Sequence, residues 1–136
     1  MMANNKIEFE SGGVQVMVEA RRSGGGDWGV TFRVFGKDSD KKVELLRFDC
    51  FKKNPHYHFA PGGKNEQHKL EREKTPDSLR WVMTQLKTQL PGLIERAGYA
   101  DLSRSADQAA VAKDLARLEP DIVRLHDRAL KELAVA

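Results

Sequence analysis

The chain has a single cysteine, Cys50, so no internal disulfide framework is available to it, which fits a reducing compartment. Its apolar runs are only a few residues long, far short of the roughly 20 that a spanning helix needs. No signal-peptide pattern is visible, so the expectation is a cytoplasmic protein with no membrane partner. The glycine run Ser23-Gly24-Gly25-Gly26-Asp27 has no following Gly-Lys-Ser/Thr and leads into a strand, so it reads as a hairpin loop and not as a phosphate-cradling P-loop. Ser, His and Asp are present, but no nucleophile elbow is. A strong excess of one charge is also missing. Net charge is +3, and residues 1–36 and 75–136 are each balanced, so the whole excess falls in residues 37–74. That placement hints at an anionic partner without forming a basic stripe.

What the sequence does contain is alternation. Val14, Val16, Val18 and Ala20 interleave with Gln15, Met17 and Glu19; Trp28, Val30, Phe32 and Val34 interleave with Gly29, Thr31 and Arg33. Both are half-buried strands. Ile7 and Phe9 suggest a short strand before them, and Val43–Cys50 another after them. Short loops between consecutive strands predict an antiparallel meander of five or six strands. At Thr75 the period changes. Thr75 as N-cap, Pro76 and Asp77 predict a helix over 76–97, with Leu79, Val82, Leu86, Leu90 and Leu93 on one stripe and a kink or split at Pro91-Gly92. The fold class is therefore α+β, with a helix covering one sheet face and a C-terminal helical extension. Two units are expected: a sheet-plus-helix domain over residues 1–98 and a helical extension over 99–136. A chain of 136 residues buries enough surface to fold without a metal or crosslink.

In the extension, Ser105-Ala106-Asp107-Gln108 reads as a capping box. Val111, Leu115, Leu118, Ile122, Leu125 and Ala129 follow at four- and three-residue steps, a narrow seam interrupted by Pro120. Such a seam must be buried against something. The candidates are the sheet domain, the same seam of a second chain, or a different protein docking on residues 105–134.

Chemistry concentrates in residues 42–73. Three of the four histidines (His56, His58 and His68) lie within 13 residues, after Asp49. Side chains two apart on a strand share a face, so His56 and His58 point one way while Tyr57 and Phe59 point to the core. A four-residue loop at 51–54 sets Asp49 opposite His56 and Arg47 opposite His58. A five-residue loop at 61–65 then sets His68 opposite His58. Cys50 falls on the apolar side as a small buried hydrophobe. The candidate catalytic residues are Asp49, His56, His58 and His68, and the candidate substrate-binding residues are Arg33, Arg47, Lys52 and Lys53.

Three functional readings compete. In one, the imidazoles perform acid–base chemistry on RNA, with arginine or lysine holding the phosphate, which makes the chain a ribonuclease. In another, Asp49, His56, His58 and His68 supply ligands to a divalent metal, the one cofactor the sequence suggests. In the third, the histidines are plain hydrogen-bonding residues beside a binding face. That would suit a non-catalytic protein- or nucleic-acid-binding component of a phage or defence system.

The run LLRFDC, a short turn, HYHF and then an amphipathic helix from Pro76 resembles the TumE-type toxins of bacterial toxin–antitoxin pairs over residues 28–97. Those toxins carry an Arg-Tyr-Asp-Asn-like strand end and a His-x-His, matched here by Arg47, Phe48 and Asp49 and by His56 and His58. Cys50 departs from the polar residue often found at that place, and the helical tail is additional. The resemblance implies a small cytoplasmic effector with nucleic acid as target and an antitoxin as partner.

Overall fold

The computed structural model describes residues 4–134. Six strands, β1 (Lys6–Ser11), β2 (Val14–Arg22), β3 (Trp28–Asp38), β4 (Lys41–Phe51), β5 (His56–Phe59) and β6 (Glu66–Lys69), pair antiparallel in chain order. Helices α1 (Ser78–Thr88), α2 (Leu90–Arg96), α3 (Ala100–Ser105) and α4 (Gln108–Glu132) follow. The architecture is α+β, an antiparallel meander with helices on one face.

Alternation decides which face that is. Val16 and Val18 of β2, Val30, Phe32 and Val34 of β3, and Leu46, Phe48 and Cys50 of β4 are all essentially inaccessible. Their neighbours of opposite parity, Arg21, Thr31, Arg33, Arg47 and Asp49, belong to the opposite face, which no helix among the described residues covers. A β-bulge between Val34 and Phe35 makes Leu45 the extra residue of β4. It gives Leu45 as well as Leu46 to the core and keeps Glu44 beside Arg47 on the open face.

Helix α1 begins later than expected. Its cap is Asp77, whose side chain accepts the Arg80 N–H at 3.0 Å, while the Thr75 N–H is taken by the Glu71 carbonyl in the preceding turn. The predicted helix over 76–97 is split at Gln89 into α1 and α2, with Pro91 in the first turn of α2. The expected capping box at Ser105 is not formed. Asp107 caps α4 by accepting from the Ala110 N–H at 3.1 Å. Gln108 is drawn to the break between α1 and α2, where its Oε1 accepts the Leu90 N–H at 2.7 Å and its Nε2 donates to the Leu86 carbonyl at 3.0 Å. Backbone groups left open by a helix break are costly to bury unpaired. Pro120 lies inside an unbroken α4.

The seam of α4 meets its own sheet. Val111, Leu115, Ile122, Leu125 and Ala129 are buried in the same core as the strands, and Leu118 packs at its margin. The helix lies across β1, β2 and β3 and alongside α1. Both ends are tied down: the Asp107 N–H donates to the Gly12 carbonyl at 2.9 Å, and Trp28 Nε1 donates to the Leu130 carbonyl at 3.2 Å. Helix α4 is thus packed into the same core as the sheet. The seam that sequence spacing offered to a second chain or another protein is occupied within the chain. The cause is geometric: the sheet is six strands wide, and α1 and α2 pack against β4 and β5, leaving the apolar side of β1 to β3 for α4.

Candidate functional site

The site sits on the open face where β2, β3, β4 and β5 run side by side. Register places it: Arg21 pairs with Gly29, Thr31 with Asp49, Asp49 with His56, and Arg47 with His58. The expected β4–β5 register is the one observed. The loop that fixes it is held by Asp27, whose carboxylate accepts the backbone N–H groups of Lys53 at 2.8 Å and Asn54 at 2.7 Å.

Asp49 is the centre. Its side chain is 2% exposed, yet both oxygens are fully engaged. Oδ1 accepts from the Thr31 hydroxyl at 2.6 Å and from Arg21 Nη2 at 3.1 Å. Oδ2 faces His56 Nε2 at 3.0 Å and His58 Nε2 at 3.5 Å. Burial pushes this carboxyl up, but hydrogen bonds from His56 and Thr31 and the charges of His56 and Arg21 outweigh it and hold Asp49 at about 2. It is an ionised carboxylate at any physiological pH.

The two imidazoles are held from behind. His56 Nδ1 lies 2.8 Å from the Asn54 carbonyl and His58 Nδ1 lies 2.8 Å from Asn65 Oδ1. Their environments pull them apart. The hydrogen bond to Asp49 raises His56 above its usual range against the opposing effect of burial, helped by the Asn54 carbonyl and the charges of Asp49 and Asp27. Burial lowers His58, reinforced by the charges of His56 and Arg47. The two rings meet edge to face with centroids 5.1 Å apart.

Arg21 reaches the centre from β2, with Gly29 as its cross-strand neighbour. A Cβ at Gly29 would lie 2.3 Å from the Cys50 carbonyl oxygen, and the backbone there has a φ of +153°. The guanidinium lies over the Phe51 ring at 5.1 Å and donates through Nε to Thr31 Oγ1 at 2.9 Å. Around this floor opens a pocket of about 370 Å³, walled by Arg21, Arg47, Lys53, Asn54 and the glycine-rich 23–27 loop.

A family model described as "Domain of unknown function (DUF7700)" matches residues 8–122, which is most of the chain. The chain belongs to this family. No curated protein and no solved structure matches it. The stretch shared with the family carries Arg21, Thr31, Asp49, His56 and His58, the whole of the centre.

Other expected residues fall elsewhere. His68 pairs with Tyr57, not with His58, so it projects to the helix side, stacks on the Tyr57 ring at 5.2 Å and pairs with Glu66 at 2.5 Å. The β5–β6 connection is one residue longer than expected, because Ala60 already turns, with a φ of +50°, and its carbonyl accepts the N–H groups of Gly63 and Asn65. One residue of slip flips the face of every side chain in the strand. Arg33 and Arg47 lie on the open face but are bound by Glu44, at 3.2 and 2.6 Å. Lys52 lines a different pocket with Arg72, Ser78 and His126. Lys53 does reach the site, its ammonium 5.4 Å from the Trp28 ring. Cys50 is buried as expected, its thiol pushed up to about 12 by burial. Sequence reasoning missed Arg21, Thr31, Asn65 and Lys69. Lys69 pairs with His56 across β5 and β6, which puts it on the same face. Register reveals Arg21, Thr31 and Lys69, and the turn geometry reveals Asn65 through its hydrogen bond to His58; none belongs to a local motif.

Proposed function

We propose that the protein is an RNA-directed phosphodiesterase whose reaction centre is Asp49, His56 and His58, with Lys53 and Lys69 receiving the phosphate backbone. One observation carries this reading: two imidazole Nε2 atoms converge on one oxygen of a buried carboxylate at the floor of an open, basic-walled pocket. Ionisable groups pre-positioned in a cleft and pulled in opposite directions by their surroundings are characteristic of reaction sites. The substrate class follows from charge. Lys53 at the pocket and Lys69 on the same face as His56 are exposed cations, whereas Arg33 is paired with Glu19 and Glu44 and Arg47 with Glu44. The net positive charge of the chain arises in the segment that builds the rim. The atoms available for catalysis are turned inward: each ring has its Nδ1 on an oxygen and its Nε2 towards Asp49. The pair therefore serves as acid and base only once a substrate oxygen replaces Asp49 as the partner of an Nε2 atom at the open side of the pocket.

The test uses purified protein and a fluorescently labelled single-stranded RNA, with products separated on a denaturing gel. The His56→Ala/His58→Ala double variant should lose at least about a hundredfold in cleavage rate, the scale of a removed catalytic group. Lys53→Ala should weaken substrate binding and steepen no other step. Equal RNA integrity with wild type and double variant would remove the enzyme reading. Salt-sensitive binding without cleavage would favour a non-catalytic nucleic-acid-binding role.

A further inference from the structure

We propose that Asp49, His56 and His58 form the protein side of a divalent transition-metal site, with His56 Nε2, His58 Nε2 and Asp49 Oδ2 as ligands and the remaining coordination positions open to the pocket. The inference concerns the same centre as the phosphodiesterase reading, but it stands on donor geometry alone and needs no substrate.

Proton accounting comes first. The Asn54 carbonyl only accepts hydrogen bonds, so the His56 Nδ1 at 2.8 Å from it carries a hydrogen. Asn65 Oδ1 likewise accepts, so the His58 Nδ1 carries one too. In the neutral rings both Nε2 atoms are then bare lone pairs, and both are aimed at a carboxylate oxygen, 3.0 and 3.5 Å away. Three acceptors facing one another repel unless a cation lies among them. A proton on His56 supplies a cation for its own contact with Asp49 but leaves the His58 Nε2 facing the same oxygen without one. One divalent ion satisfies all three donors at once.

The distances suit such an ion. Ligand bonds to zinc and its neighbours are about 2.0–2.2 Å, so two ligands on one metal stand about 2.9–3.5 Å apart at right-angled to tetrahedral spacing. The two Asp–His separations fall in that interval, and one ligand atom from each of the three residues lies within 4.8 Å of the others. The outer layer is also in place. Metal-bound histidines characteristically give their other N–H to a carbonyl or carboxylate, which fixes the tautomer and aims the ring. Asn54 and Asn65 do this here. Thr31 and Arg21 hold the other oxygen of Asp49, leaving Oδ2 to point at the rings. Two imidazoles and a carboxylate suit zinc, cobalt, manganese, iron or nickel and disfavour magnesium and calcium, which prefer all-oxygen sites. Positioning of the site depends on two loops: Asp27 clamps the Asn54 turn, and the β5–β6 turn carries Asn65.

The probes are the metal salts themselves: Zn(II), Co(II), Mn(II) and Ni(II), with Mg(II) and Ca(II) as controls, titrated by calorimetry into chelator-stripped full-length protein. At least one transition metal should bind at one ion per chain with a Kd of about 10 µM or tighter, and magnesium and calcium should not. His58→Ala should weaken binding about tenfold or more and Asn65→Ala somewhat less, while His68→Ala should bind as wild type. Should a ligand variant fail to fold, long-range nitrogen–proton NMR of the histidines in wild type decides: metal addition should move the Nε2 resonances of His56 and His58 and leave His68 in place. The inference is overturned if no transition metal binds at that level, if His56→Ala and His58→Ala bind like wild type, or if the His56 and His58 resonances do not respond. Metal binding without RNA cleavage would leave this site standing and remove only the phosphodiesterase reading.

Discussion

Asp49→Asn keeps the outline of the central side chain and removes its charge, so its stability cost reads out how strongly the fold holds the carboxylate. In the folded chain Asp49 ionises at about 2, against 3.8 for an unperturbed aspartate. That difference corresponds to about 2–3 kcal/mol of extra stability at neutral pH. The sign follows from the direction. The folded value lies below the unfolded one, so the contribution is complete above about pH 5 and is lost as pH falls through 4 towards 2. Chelator-treated wild type should therefore exceed Asp49→Asn in unfolding free energy by about 2–3 kcal/mol at pH 7 and by only about half that at pH 3. Urea titrations followed by tryptophan fluorescence measure it, since Trp28 and Trp81 both pack against the fold. A gap below about 0.5 kcal/mol at pH 7 would sink the reasoning, as would a gap of equal size at both pH values. The first result would mean that desolvation cancels the hydrogen bonds. The second would mean that the loss is steric and not electrostatic.

Two further outcomes test the rest of the fold. Leu115→Ala in α4, at a position with no exposure, should cost about 2–4 kcal/mol in the same urea titrations, whereas an effect below about 1 kcal/mol would mean that the helix is not part of the core. Cys50 should resist a thiol reagent such as dithionitrobenzoate in native protein and react at once in denaturant, because burial both shields it and holds its thiol protonated; rapid native reaction would contradict its placement.

The fold was legible where one physical rule acted alone. Strands β2, β3 and β4 were visible because their apolar residues alternate without interruption, and the β4–β5 register because a four-residue turn leaves few alternatives. The reading failed where two rules competed. At Ala60 the chain turns one residue before the Pro61-Gly62-Gly63 signal, since an alanine there adopts a conformation its side chain disfavours, and so His68 went to the wrong face. At Ser105 a sound local capping pattern lost to a tertiary need, the open N–H of Leu90 that Gln108 satisfies. The seam of α4 was recognised, but spacing says only that a stripe is buried and not against what. In the site itself, Asp49, His56 and His58 were found from parity. Arg21 and Thr31 were out of reach because each touches Asp49 only through register, 28 and 18 residues away in sequence.

The way α4 closes the core sets an order of events during synthesis. Every strand pairs with the strand made just before it, so the meander can zip up progressively from the N-terminus with small loop-closure costs. Its apolar side over β1 to β3 stays bare until α4 arrives, for the contacts that shut it join Trp28 to Leu130 and Arg22 to Leu133, 102 and 111 residues apart. A nascent chain thus carries an uncovered valine-rich sheet surface until α4 leaves the ribosome, the kind of surface on which chaperones act and aggregates begin. Premature termination anywhere within α4 would expose that surface permanently, so truncated products should be recognised as misfolded even though every residue of the Asp49 centre has already been made.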